Sequence, residues 1–313
     1  MNIAIDMMGG DYAPLETIKG VKLFLSENNK NDVHLTLIGN QDIMDPLIDQ
    51  FGINSENITL VHASEKIEMQ EHPTKALKEK QQSSISIGFY LLASGKTDAF
   101  ISAGNTGAML VGSLYSIKAI TGISRPAIGA YIPGENGKVS LIVDVGLNAD
   151  CKPENLSQFA LLGSLFSRYI LNCENPRVAL INVGEEEGKG NILCQAVYPL
   201  LKENKQINFV GNIEGRDLLL DKADIYVCDG FTGNVLLKFA ESIYDIVQKR
   251  NIEDEYFNRF NFEMYGGVPV LGVNKPVIIG HGISTAGAFN NMILMAKKMI
   301  DQHFIEKIKS NFV

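Results

Sequence analysis

Short runs of bulky apolar residues recur along the chain, separated by longer stretches with helical apolar spacing. The short runs predict buried strands at residues 3–6, 33–38, 58–62, 99–102, 140–144, 178–182, 225–228 and 277–279. The longer stretches predict helices at 15–26, 42–51, 73–95, 109–120, 155–169, 192–201, 235–247 and 286–308. Pro14 and Pro73 stand where a helix can open, because the first turn does not need their missing N–H. Residues 127–132 and 138–144 flank PGENG and read as a β-hairpin, whereas GGVPVLGVNKP reads as a loop. Strand and helix alternate, which predicts an α/β fold with a mainly parallel sheet. No repeat, low-complexity linker or clean boundary interrupts the pattern. Residues 1–313 are therefore expected to form a single large α/β domain, with a helical insertion at about 235–264. The run 235–247 is apolar on more than one face and is followed by Tyr256, Phe257, Phe260 and Phe262. A helix apolar all round is either buried or used at an interface.

Four of the predicted strands lead into Gly- and Asn-containing loops followed by helices. These loops are AGNTGA (103–108), VGLNADCKPE (145–154), VGEEEGKGN (183–191) and DGFTGN (229–234). If their strands are parallel, the loops share one carboxyl rim, where ligands bind in α/β sheets. Free N–H groups and the dipole of a helix start suit an anion. In the last loop Thr232 or Asn234 is expected to cap a helix starting near Val235, and Gly233 permits close backbone approach. The candidate ligand-binding residues are Gly104, Asn105, Thr106, Gly107, Asn148, Asp150, Asp229, Gly230, Thr232 and Gly233, with Lys189 as the loop cation and Asn234 as a neutral amide. His281, between two glycines, joins them, while His34 and His62 fall in strands and read as structural.

Composition narrows the chemistry. The 313 residues are 45% hydrophobic and 20% charged, with a net charge of −8 that argues against general nucleic-acid binding. No apolar run is long enough to span a bilayer, and MNIAIDMMGGD lacks the basic start and long apolar core of a signal peptide, so a cytoplasmic protein is expected. The four cysteines are widely spaced and form no CxxC pair. There is no GxGxxG, HExxH, GxSxG or zinc spacing, and GEEEGKGN is one residue short of a phosphate-binding P-loop and has Gly190 in place of Ser or Thr. No metal and no cofactor are expected.

In order, DMMGGDYAP, SAGNTGA, DVGLNADCKPENLSQFA, VGEEEGKGN, GNIEGRD, VCDGFTGNVLLK and GGVPVLGVN resemble the bacterial phosphate acyltransferases, which make acyl-phosphate from acyl-acyl-carrier-protein. The resemblance runs from Met1 to about Ala296. It implies a three-layer α/β/α fold like that of isocitrate and isopropylmalate dehydrogenases and phosphotransacetylases. It also implies long-chain acyl-acyl-carrier-protein and inorganic phosphate as substrates, in the first step toward phosphatidic acid. Further implications are a homodimer and a loose association with the membrane or a membrane-bound glycerol-phosphate acyltransferase. The segment between Lys238 and Gly266 is shorter than is usual in the family, and HGIS stands where HGSS is frequent. An acyl-coenzyme A-using phosphotransacetylase-like enzyme and a non-enzymatic membrane scaffold for acyl-carrier-protein are the alternatives.

Phosphorolysis of a thioester needs a held phosphate dianion, a stabilised oxyanion and room for an acyl chain. Lys189 and Asn234 are the expected catalytic pair, with Asn105 and Asn148 as further amides. Asp144, Asp150 and Asp229 would repel phosphate and are expected to orient donors instead. Cys151 is not expected to form an acyl-enzyme, since phosphate can attack directly. Because acyl-carrier-protein is acidic as a class, its docking needs local basic groups, and Lys249, Arg250, Arg259, Lys297, Lys298, Lys307 and Lys309 are the candidates.

Overall fold

A computed structural model describes residues 1–27, 32–53 and 55–312, with the side chains of Ser55 and Phe262 outside the described set. Where the sequence shows no boundary, the chain groups into two compact units, Met1–Ile120 with Glu263–Ile305, and Thr121–Phe262 with Glu306–Val313.

The first unit holds β1 (Asn2–Asp6), β2 (His34–Gly39), β3 (Ile58–His62), β4 (Ala99–Ser102), β10 (Gly267–Leu271) and β11 (Val277–Gly280). Their order is β3-β2-β1-β4-β11-β10, and every pairing is parallel except β10 with β11. Ile3, Ala4 and Ile5 are wholly buried, which is why β1 reads as an unbroken apolar run rather than an alternating one. Helices cover both faces of this sheet. Ala4 shares a core with Phe89 and Leu92 of α4 (Ser84–Ala93) and Met109 of α5 (Thr106–Gly112). Phe89 meets the Phe100 ring edge-on at 5.1 Å. On the other face, α1 (Leu15–Glu27) lies against α10 (Ala286–Asp301), so close at Gly20 that an added Cβ would sit 2.5 Å from the Phe289 Cβ. Helix α2 (Gln41–Phe51) flanks α1, and α3 (Pro73–Glu79) lies beside α5.

The second unit orders β5 (Ala127–Pro133), β6 (Val139–Val143), β9 (Ile225–Val227), β7 (Arg177–Ile181) and β8 (Asn208–Ile213) side by side. The β5–β6 hairpin is antiparallel as expected, and the remaining pairings are parallel. Helix α6 (Pro153–Tyr169) packs on β6, β9 and β7, with Gly163 set against Ile225 and Val143. Helix α7 (Ile192–Glu203) lies against α6, and α8 (Gly230–Lys249) rests beside β5 and β6. Helix α9 (Glu255–Asn258) follows, and α11 (Phe304–Asn311) starts in the first unit and ends in the second.

Several expected elements differ. The helix expected over 73–95 is two helices, because Ser83 turns the chain at its bond to the Lys80 carbonyl and then caps α4. The helix expected over 109–120 begins at Thr106 and passes into a π-turn at Ser113–Ile117. GGVPVLGVNKP contains strand β10, whose backbone groups are satisfied by β11. The last helix breaks at His303, which adopts a left-handed φ of 48°. Most consequentially, the helix expected from Val235 begins at Gly230. Asp229 is its cap, and Thr232 and Asn234 lie inside it.

Candidate active site

In the first unit β1, β4 and β11 are parallel, so their following loops line one rim. Asp6 ends β1 fully buried, accepting from Ser102 Oγ at 2.6 Å and Met8 N at 2.9 Å. Gly104 N donates in turn to Ser102 Oγ at 2.9 Å. Gly9 has no room for a side chain, since its Cβ would lie 2.5 Å from Asp6 Oδ2 and 2.6 Å from Gly104 N. Burial raises the Asp6 pKa against the pull of these donors.

Asn105 caps α5 by accepting from Ala108 N at 2.9 Å. Its Nδ2 donates to the carbonyls of Glu68, Met69 and Glu71 at 2.9, 3.1 and 3.1 Å, so its amide is committed to holding that loop. Thr106 is exposed, and Gly107 packs on Pro73. His281 accepts from Ile283 N at 3.5 Å, and the neighbouring Gly282 carbonyl accepts from Asp11 N at 2.7 Å. The MMGGD and HGIST loops thus share the rim with AGNTGA. Asp6, Ser102 and Gly9 belong to it but were not among the candidates read from sequence. The glycine pair after the first strand was the signal for them.

In the second unit β6, β7 and β9 are parallel, and the other expected loops gather on their carboxyl rim. Asp144, wholly buried, accepts from Ile128 N at 2.8 Å and Val145 N at 2.9 Å on Oδ1. Its Oδ2 accepts from Asn148 N at 2.6 Å and Asn148 Nδ2 at 3.1 Å. Burial raises its pKa as well. Asn148 Nδ2 also donates to the Pro126 carbonyl at 2.8 Å, so this amide points into the protein. Asp150 is exposed, and its carbonyl accepts from Arg125 at 3.1 Å.

Asp229 caps α8 by accepting from Thr232 N at 2.8 Å and Thr232 Oγ1 at 2.9 Å. Gly230 N donates to the Asn148 carbonyl at 2.7 Å, and Gly233 N to the Asp229 carbonyl at 3.0 Å. The start of α8 is therefore less open to an anion than expected, because Gly230 N and Thr232 N, two of the N–H groups a helix start leaves free, have partners inside the chain. Asn234 is exposed and donates one N–H to the Val145 carbonyl at 3.3 Å, while its Oδ1 has no partner among the described residues.

The Lys189 loop is tethered at several points. Asn182 Nδ2 donates to the Lys189 carbonyl at 3.1 Å and Asn212 Nδ2 to the Glu186 carbonyl at 2.9 Å. Glu185 pairs with Lys222 at 2.7 Å and Glu187 with Lys202 at 2.9 Å. The exposed Lys189 ammonium stands 4.0 Å from the Glu186 carboxylate. Strands β7 and β9 are adjacent and parallel, so α7 and α8, which follow them, start on one rim. Asn148, Asp150, Lys189 and Asp229–Asn234 thus lie on the rim of the second unit, and Gly104–Gly107 and His281 on that of the first.

Cys151 sits within this second rim, and burial together with Asp144 and Asp229 pushes its thiol up to about 11. A thiol held that high is a poor nucleophile near neutral pH. Cys151→Ser is expected to retain turnover within about threefold, a margin set by context effects of a few tenths of a kcal/mol. A burst of covalently acylated protein in the wild type, absent in the variant, would contradict this.

Two surface expectations change. Arg259 donates to the Gly134 and Lys138 carbonyls, and Lys297 pairs with Asp301 at 2.6 Å, so neither is a simple docking charge. Phe260 is buried with its ring 5.4 Å from that of Tyr256, whereas the Phe262 side chain lies outside the described set. The apolar groups that do face outward on α8 are Phe231, Val235, Phe239 and Ile246, at helical spacing along one stripe. Among the described residues, no helix is long and apolar enough to cross a membrane, and no group of three His, Cys, Asp or Glu side chains is placed to hold a metal ion.

Helix-covered, mainly parallel strands that end in Gly-rich loops define an α/β fold. The phosphotransacetylase from Streptococcus pyogenes superposes with a TM-score of 0.65 at 16% identity, covering 96% of this chain and 94% of that one. The branched-chain phosphotransacylase from Enterococcus faecalis V583 gives 0.63 at 15% identity, over 96% and 99%. These likenesses concern the fold alone. A family described as "Fatty acid synthesis protein" matches residues 1–307, and the phosphate acyltransferase of Dictyoglomus turgidum is 42% identical over 98% of this chain and 96% of its own. The chain belongs to the phosphate acyltransferase family.

Proposed function

We propose that the chain forms acyl-phosphate from a long-chain acyl-acyl-carrier-protein and inorganic phosphate. Membership of the phosphate acyltransferase family carries this reading. A phosphate oxygen attacks the acyl carbonyl carbon, an oxyanion forms and collapses, and the C–S bond breaks. The pantetheine leaves as thiolate and takes a proton from phosphate or solvent. Thiolate is a good enough leaving group that this route asks for no metal and no cofactor. Lys189 neutralises phosphate as a point charge on a flexible stem, and Asn234 orients phosphate or donates to the oxyanion. The exposure of both side chains at the rim of the second unit supports these roles. Gly104–Gly107, Asn148, Asp150, Asp229–Gly233 and His281 shape the substrate loops, with Asn105, Asn148 and Asp229 acting as loop clamps.

The protein works in the cytoplasm as a homodimer, using the α8 stripe of Phe231, Val235, Phe239 and Ile246 as an interface. It meets the membrane, or a membrane-bound glycerol-phosphate acyltransferase that consumes the product. Incubating purified protein with long-chain acyl-acyl-carrier-protein and labelled phosphate, and trapping product with hydroxylamine, tests the reaction. Acyl-hydroxamate formed only when phosphate is present is expected. Product from short acyl-coenzyme A but not from acyl-carrier-protein would replace the donor, and binding of acyl-carrier-protein without product would leave a scaffold.

A further inference from the structure

Asp144 contributes no atom to the exposed rim, yet three parts of the second unit's site close on it. Its two oxygens take four N–H donors, from Ile128, Val145 and both nitrogens of Asn148, at 2.6 to 3.1 Å. The loop after β6 is thereby wound around a buried carboxylate. That loop presents two carbonyls to α8. The Asn148 carbonyl accepts from Gly230 N at 2.7 Å, and the Val145 carbonyl accepts from Asn234 Nδ2 at 3.3 Å. A glycine closes the arrangement, since a Cβ on Gly230 would lie 2.7 Å from Asp144 Oδ2 and 2.8 Å from the Asn148 carbonyl oxygen. The first unit has a related device at Asp6, whose oxygens accept from Met8 N in the following loop and from Ser102 Oγ at the end of β4, beneath Gly9.

We infer that Asp144 is a positioning residue for the reaction, aiming the Asn234 amide through the Val145 carbonyl; the inference rests on the catalytic role proposed for Asn234. Every donor on Asp144 is an N–H, so an acceptor-only carboxylate satisfies the loop. An amide in its place turns an NH₂ toward Asn148 N–H or Ile128 N–H and leaves donors facing donors. The loop then relaxes, the Val145 carbonyl moves, and Asn234 loses the bond that orients it. An arrangement of this kind fails in turnover before it fails in folding, because small misplacements of a reacting group lower rate steeply.

The test uses the full-length chain carrying Asp144→Asn and, separately, Gly230→Ala, which crowds the same carboxylate from the α8 side. The Asn234 side-chain NH₂ signals, assigned by ¹⁵N NMR through their loss in Asn234→Ala, are expected to shift in both variants. Acyl-phosphate turnover, measured well below each melting temperature, is expected to fall about tenfold or more, of the order seen for misplaced catalytic groups. In an Asn234→Ala background Asp144→Asn is expected to cause little further loss, since residues acting through one another are not additive. Unmoved Asn234 signals, or losses that simply multiply, overturn the inference. If one variant does not fold, the other gives the same readouts. Should the wild type form no acyl-phosphate, the reaction reading fails, while the NMR shifts still decide whether Asp144 sets Asn234.

Discussion

Asn234→Ala and Lys189→Ala should each lower acyl-phosphate turnover by about 10²–10³-fold, the cost of removing one preorganised oxyanion donor. Their melting temperatures should hardly move. Asn234 is exposed, and its side chain makes a single bond, to the Val145 carbonyl at 3.3 Å. It does not cap α8, because Asp229 does, so the roughly 1 kcal/mol that a lost N-cap costs is not at stake. Lys189 is exposed and stands 4.0 Å from an exposed Glu186, and such surface pairs contribute about 0–1 kcal/mol. Activity and stability are therefore separable at both positions, and kinetics with calorimetry on the same two proteins read them. Near-normal turnover in both would place the reacting groups elsewhere.

The largest loss of stability should follow Gly233→Ala. The new methyl would overlap the Asp144 carbonyl group and lie 3.0 Å from Cys228 Sγ, where α8 meets the end of β6. The obstructing atoms are backbone, which cannot rotate aside as a side chain can. Overpacking of this kind costs about 1–3 kcal/mol and sometimes more. At about 2–4 °C per kcal/mol for a unit of this size, thermal unfolding should show it clearly. Gly215→Ala is the matched control, because a Cβ there meets nothing within 4 Å. Equal melting temperatures for the two variants would mean that α8 can shift away from β6 at little cost.

The difference between Asp229 and its neighbours shows where reading a sequence stops. Asp229, Thr232 and Asn234 are all good caps, and their order along the chain does not choose among them. The choice falls on the residue whose backbone is extended while its side chain reaches Thr232 N, and Asp229, at φ −69° and ψ 160°, meets both conditions. Strand β10 was hidden for a similar reason. Its Gly267 and Pro269 lower any local preference for a strand, and the antiparallel partner that holds it comes from β11.

The periodicity of the chain determined the α/β class, the parallel strands and the four Gly-rich loops, because buried parallel strands must be apolar on both faces and their turns need small residues. The ordered motifs also carried the family. Tertiary structure alone decided which amides remain available for chemistry. Asn105 spends its NH₂ on carbonyls 34 to 37 residues away and Asn148 on one 22 residues away, while Asn234 stays exposed. In sequence the three are equivalent asparagines in similar loops. What separates them is the through-space position of unpaired backbone carbonyls, which exists only once the strands are packed and each buried polar group has found its partner.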